Sequence, residues 1–347
     1  MSSKQIQLFL IIFALVLGGC KPEQDTGLQF EQHVKAKVER ISDDIGFEII
    51  NDFFVYKDYL VVISHDEMTD AFVHVFNKKT GKKIHSTLFY GRAQNEALMC
   101  RSTFMDYDRG IIYIYDQMKK ALLSIDLDTI LQNNQTSISS CGIACEISNW
   151  VTSIVPSDIE EYLIIENPGL NVGDSYRFKL IDDTGNILSQ YNDFPILREE
   201  ERFDLYNYSK VSMSPDKTTL VVGTSFGSIL EIFDVKDKKI SLKHQHIYIN
   251  PDLTGGLSTC TIAFNDIHVN DTKIFTIYDG NVKVADVTDP YLICRDIAIW
   301  DLNGNPKLKI QTDQRLEQLY YSEKEDMIYA ISQDVNGTYL TKVVITD

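Results

Sequence analysis

Six times along this chain a short strand, a tight polar turn and a second, more apolar strand follow one another: FFVYKDYLVV, FMDYDRGIIYI, SIVPSDIEEYLII, VSMSPDKTTLVV, NDIHVNDTKIFT and LYYSEKEDMIYA. Aligned on Leu60, Ile112, Leu163, Leu220, Ile274 and Ile328, the copies lie 52, 51, 57, 54 and 54 residues apart. A period near fifty made only of strands predicts small sheets stacked radially about an axis, a β-propeller. Most copies run on into a hairpin, as in FVHVFNKKTGKKIHST, FKLIDDTGNILSQY, LEIFDVKDKKISLK and IAIWDLNGNPKLKI; the second copy carries a compressed version, ALLSIDLDTIL. Each alternates apolar and polar residues around a turn, so the unit is a four-stranded antiparallel blade. Its second strand (LVVI, IIYIY, YLII, LVVG) has the continuous apolar character of a strand buried on both faces. The predicted fold is all-β, a six-bladed β-propeller in which the first strand of each blade lies nearest the axis.

The sixth copy is one strand short. It runs through 319–322, 327–332 and 339–346, and then the chain stops. Residues 33–41 (HVKAKVERI) alternate apolar positions at Val34, Ala36 and Val38. They are predicted to supply the missing outer strand and close the ring, which also removes an edge open to aggregation; the alternative is a short helix. In the fifth copy seventeen residues separate Lys273–Tyr278 from Asp296–Asp301, a longer connection than its counterparts.

The first nineteen residues read differently. Lys4 and the apolar run Leu8 to Gly19 form a secretory signal peptide, too short to span a bilayer. The run closes on Leu17-Gly18-Gly19-Cys20, which resembles the bacterial lipobox and implies acylation of Cys20. Several acyl chains anchor stably where one is marginal. The organisation is thus signal peptide 1–19, lipid-anchored tether 20–32 and a single propeller 33–347. It places the protein in the bacterial cell envelope, on the periplasmic face or the cell surface. A formal net charge of −17 argues against nucleic acid as partner.

Five cysteines remain beyond Cys20, an odd number, so at least one thiol stays unpaired within a monomer. Export permits disulfides; Cys141 with Cys145, and Cys260 with Cys294, are the candidate pairs. The cysteines and seven histidines show no zinc-ligand spacing, and no metal or other cofactor is expected.

Two segments carry a family resemblance. VSMSPDKTTLVVG resembles the SPDG-x-x-L phrase of TolB-like propellers, with Lys217 in the glycine position. FYGRAQNEA (89–97) is similar to the G-x-G-P-G-E segment after the first blade of exported six-bladed propeller lipoproteins, keeping Gly91, Arg92 and Glu96 and departing at Ala93, Gln94 and Asn95. The resemblance covers nearly the whole mature chain. It implies the fold, and a group whose members mostly have no assigned activity.

No G-x-S-x-G elbow or activated cysteine marks a catalytic site. A different pattern stands out on one predicted face. Arg92, Arg101, Arg198, Arg202, Arg295 and Arg315 fall in the predicted second-to-third and blade-to-blade connections, while lysines gather at the opposite turns. Trp150, Tyr206, Tyr208 and Tyr291 join the arginines. Arginine with aromatic rings is the composition of protein-binding and sugar-binding surfaces. The expected function is a membrane-anchored, monomeric binding or interaction scaffold for an envelope protein or a glycan or peptide ligand. The alternative is a glycan-acting hydrolase or lyase using axial carboxylates.

Overall fold

The structure, a computed structural model, describes residues 28–133, 137–142, 151–158, 161–166, 177–195, 205–206 and 208–346. The leader and Cys20 lie outside these residues. The expected N-terminal strand forms as β1 (Gln32–Arg40). Four sheets of four antiparallel strands follow. They are β2 (Asp52–Tyr56) to β5 (Lys83–Phe89), β6 (Cys100–Asp106) to β9 (Ile138–Gly142), β10 (Val151–Asp158) to β13 (Ile187–Tyr191), and β14 (Lys210–Met213) to β17 (Lys239–Ile247). Between the ends of each sheet run β3 (Tyr59–Asp66) and β4 (Ala71–Asn77), β7 (Ile111–Asp116) and β8 (Ala121–Asp126), β11 (Glu161–Glu166) and β12 (Phe178–Asp182), β15 (Thr219–Gly223) and β16 (Ile229–Lys236). The remainder, β18 (Phe264–Val269), β19 (Lys273–Tyr278), β20 (Asp296–Asp301), β21 (Pro306–Gln311), β22 (Arg315–Ser322), β23 (Met327–Asp334) and β24 (Gly337–Thr346), joins β1 in one eight-stranded sheet. The architecture is an all-β, propeller-like ring of small antiparallel sheets.

The eight-stranded sheet departs from separate four-stranded blades, and β1 is the cause. Its second half pairs antiparallel with β24, Lys35 opposite Thr346 through Arg40 opposite Thr341. Its first half pairs parallel with β21, Gln32 opposite Leu308 through Lys35 opposite Gln311. An outer strand has a free row of backbone donors and acceptors, and β1 satisfies two such edges by changing partner at Lys35. A second departure is the compressed hairpin of the second repeat. After β8 the chain forms helix α1 (Leu127–Asn133), capped by Asp126, whose carboxylate accepts from the Thr129 N–H at 3.0 Å and from its hydroxyl. The expected fourth strand, β9, comes after the helix.

The second strands are buried along their length, β15 and most of β3 and β19 without a break, while the outer strand β17 alternates toward solvent. Apolar side chains then meet between successive sheets. Ile63 and Val75 pack with Ile112 and Ile114, Val221 and Ile232 with Phe264 and Trp300, and Tyr329 and Leu340 with Phe53 and Leu60. The last set closes the ring. Hairpins joining second to third strands, with the links between sheets, form what is called here the upper face; the first-to-second and third-to-fourth turns form the lower face.

Candidate functional site

Inner strands can present side chains to the axis only at matching heights, and the hydrogen-bond ladders establish those heights. Asp52 is opposite Ile63, Ser102 opposite Tyr115, Lys210 opposite Gly223, Asp266 opposite Ile277 and Gln318 opposite Ile331. Each partner lies three residues past the aligned Leu60, Ile112, Leu220, Ile274 or Ile328. The five polar residues therefore form one level around the axis. Two residues further along the strands, Phe54, Phe104, Ser212, His268 and Tyr320 form a second, mainly aromatic level. Both levels line a cavity of about 250 Å³.

Bonds between neighbouring inner strands hold these side chains. The Leu319 N–H donates to Asp266 Oδ2 at 2.8 Å, the Ile154 N–H to Ser102 Oγ at 2.7 Å, and the Val269 N–H to Ser212 Oγ at 3.1 Å. The Thr103 hydroxyl donates to Asp52 Oδ2, and the Phe53 N–H to Asp52 Oδ1 at 2.8 Å. Burial pushes the Asp52 carboxyl up to about 6 against these bonds and the field of Lys210. Burial, with the charge of Asp52 adding to it, pushes Asp266 up to about 7. Burial lowers His268 to about 4, so its ring is neutral at pH 7. Below this level the Tyr107 and Tyr320 rings pack together, their centroids 5.6 Å apart.

Two interacting carboxylates with raised pKa titrate as a pair. The folded protein holds their protons more tightly than the unfolded chain. Their stabilising contribution is therefore complete below about pH 4 and is lost as pH rises through 6 and 7. Asp266→Asn keeps an oxygen for the Leu319 N–H and removes the titration. It is expected to raise stability at pH 8 by about 4 kcal/mol, with the difference vanishing near pH 4. Urea unfolding across pH 4–8 measures this; a constant difference across that range would contradict the assignment.

At the lower end, Lys217 Nζ reaches Asp106 Oδ2 at 2.9 Å, although the β10–β13 sheet stands between their own sheets. Burial opposes ionisation of Asp106, but Lys217 and Arg109 hold its carboxyl below the usual carboxylate range. Lys217 has a φ of 60°, a left-handed conformation that glycine adopts without strain. Its occupation of a glycine position coincides with this long-range ion pair.

The residues expected on the upper face meet different fates. Arg198, Arg202 and Trp150 lie outside the described residues. Arg92 is exposed, and Tyr208 is half-exposed against Phe226. Arg101 and Arg315 belong to strands β6 and β22, not to connections. Tyr291, Arg295 and Arg315 do come together, but as internal fastening of the fifth-repeat insertion. Arg295 Nε donates to the Tyr291 carbonyl at 3.0 Å and Arg315 to the Pro290 carbonyl at 2.8 Å, while Arg315 also pairs with Glu317. Tyr206 is a correction: at 4% exposure it is part of the core. Its ring flanks Arg177, a residue the sequence reading passed over, which forms a buried bidentate pair with Glu231.

The Cys260–Cys294 bridge is a further correction. Both are buried thiols, Cys260 Sγ directed at the Asp252 carbonyl 3.3 Å away, and burial pushes the Cys294 thiol up to about 12. Cys145, and with it the other candidate pair, lies outside the described residues. Among the described residues no three His, Cys, Asp or Glu side chains group closely enough to hold a metal ion.

Residues 29–324 match the family described as TolB-like 6-blade propeller-like. Among solved structures, a putative exported protein from Bacteroides fragilis NCTC 9343 is similar with a TM-score of 0.55 at 12% identity, covering 92% of this chain and 99% of its own. A member of the duf4221 family from Bacteroides vulgatus ATCC 8482 also gives a TM-score of 0.55, at 9% identity, covering 90% and 96%. At these identities the likeness is one of fold. No curated protein matches the sequence.

Proposed function

Given that the chain belongs to the TolB-like 6-blade propeller-like family, we propose that it is an exported, lipid-anchored binding module of the cell envelope that holds an ammonium-bearing group in its axial channel. Six blades follow if the eight-stranded sheet is divided where β21 meets β1, leaving two antiparallel four-stranded units. Export and anchoring draw on the leader and on Cys20, in keeping with the Bacteroides fragilis neighbour described as exported.

The carrying observation is the polar level of the channel. Two carboxylates face one ammonium, Lys210, so full ionisation leaves an uncompensated negative charge in a desolvated space. A ligand ammonium supplies the missing charge, and the adjoining Phe54, Phe104 and Tyr320 rings offer it π faces. At about 30 Å³ per water-sized group, the cavity admits roughly eight heavy atoms. That is the size of an amino-sugar ring edge or of a peptide N-terminus.

Calorimetric titration with glucosamine and diglycine tests this. Affinity is expected to rise roughly tenfold between pH 5 and 7 as the carboxylates ionise while an α-amino group stays protonated. N-acetylglucosamine should not bind, and Asp266→Asn should flatten the pH profile. Equal binding of the neutral analogue, or no pH dependence, overturns the reading. A glycan-acting enzyme is the second reading, favoured by a carboxyl near 7 beside one near 6. Against it, both carboxylates already accept frame hydrogen bonds.

A further inference from the structure

Exposed large apolar side chains are not spread evenly over the ring. Ile49, Met68, Tyr90, Met118, Leu292 and Val335 all stand on upper-face connections, Met68 with 95% of its surface in solvent. The rest lie on these same connections or along outer strands, except Ile345 near the end of β24, and among the described residues none tips a lower-face turn. The same device presents three of the tips. Asp66 accepts from the Met68 N–H at 3.0 Å, Asp116 from the Met118 N–H at 3.0 Å, and Asp334 from the Asn336 N–H at 2.8 Å. Each aspartate tightens its hairpin around an outward-pointing Met or Val. Between the first two sheets a groove of about 640 Å³ opens among Ile49, His65, Met68, Phe72 and Tyr90.

The N-terminal segment determines which way this face looks. Phe30 packs on Trp300 with ring centroids 5.3 Å apart, and Lys307 donates to Glu31, so the chain enters β1 beside the turn between β20 and β21. That turn is on the lower face. Seven residues separate Cys20 from Leu28, and the eight steps between them span at most about 28 Å, roughly the length of one long strand. An acyl anchor at Cys20 therefore meets the bilayer on the lower side, leaving the apolar tips turned away from it. Acids flank three of these tips, Glu48 beside Ile49, Glu67 and Asp70 about Met68, and Asp286 and Asp289 ahead of Leu292, all exposed, while Lys119 and Lys120 follow Met118. An anionic bilayer is repelled by such a rim, and a second copy would bring the same acids together.

We propose that the upper face docks a partner protein through an apolar patch flanked by lysine or arginine, with the ring held lower face toward the membrane. The orientation rests on the lipid-anchored reading above; the docking rests on the tips and their charge.

In-cell photo-crosslinking of the full chain tests it, with p-benzoylphenylalanine at Met68, Met118 or Val335 and, as controls, at Lys79 or Lys238 on the lower face. The three tips should yield one shared protein adduct and the controls none, and the crosslinked peptide should carry Lys or Arg beside apolar residues. With the probe at Val335, Met68→Asp with Met118→Asp should reduce that adduct about tenfold, as expected for losing two anchors, with unchanged thermal unfolding. Lipid adducts at the tips, an adduct of twice the chain's mass, no adduct, or indifference to the double substitution would each overturn the proposal. Labelling with an alkyne fatty acid that is lost in Cys20→Ser reports the anchor separately, so failure of anchoring is distinguishable from failure of docking.

Discussion

Glu231→Ala is expected to lower the unfolding free energy by about 3–5 kcal/mol, the cost of stranding one member of a buried ion pair. Glu231 and Arg177 are 1% and 3% exposed. Arg177 Nη1 donates to Glu231 Oε1 at 3.0 Å and to the Asp193 carbonyl at 3.1 Å, and Nη2 donates to the second carboxylate oxygen. The guanidinium is boxed by the rings of Phe178, Phe194, Tyr206 and Phe233, 4.7 to 5.7 Å from their centroids. This packing leaves water little access to a cation that has lost its partner. The pair also fastens the β10–β13 sheet to the β14–β17 sheet. Replacing both residues, Arg177→Met with Glu231→Leu, should recover most of the loss, because the desolvation of two charges disappears together with their attraction. Urea unfolding at pH 7 of the wild type, Glu231→Ala and the double variant measures both effects. A loss below about 1 kcal/mol for Glu231→Ala would show that the pair behaves as an exposed one.

Val38→Asp should be comparably damaging, at about 3–5 kcal/mol, although Val38 belongs to the strand nearest the tether. Its side chain is 2% exposed and packs in the cluster of Ala36, Ile310, Leu316, Ile328 and Val343. A carboxylate there would be desolvated without a cation. It would also adjoin Asp313, which already accepts from the Val38 N–H at 2.9 Å. Releasing β1 uncovers the edges of both β21 and β24 at once, so aggregation should accompany unfolding. Denaturant unfolding with light scattering reads both consequences, and the exposed neighbour substitution Lys37→Asp serves as the control. Wild-type stability of Val38→Asp would mean that β1 does not close the ring.

The second prediction concerns a strand legible in the sequence, since the alternation at Val34, Ala36 and Val38 anticipates β1 and the short sixth repeat requires it. The residues of the first prediction were not legible. Arg177 and Glu231 are 54 positions apart, and nothing local marks either as buried. The upper-face arginines show the converse. Their clustering was visible in the chain, but Arg295 and Arg315 are engaged with carbonyls of the insertion, leaving Ile49, Met68 and Met118 as the more exposed chemistry of that face.

The channel marks the boundary most clearly. Asp52 and Asp266 lie eight residues before their aligned anchors, whereas Lys210 and Gln318 lie ten before theirs. The cause is turn length: two residues separate Tyr56 from Tyr59, but four separate Ser322 from Met327. No fixed offset along the chain places these residues together, and only the pairing of inner with second strands brings them level. By itself the sequence determined the period, the order of strands and the strand that closes the ring. Apolar alternation is written within about ten residues and needs no distant partner to be read. Tertiary structure decided which polar residues share the axis, which charges are buried in pairs and which side chains reach solvent, because those depend on contacts between residues fifty or more positions apart.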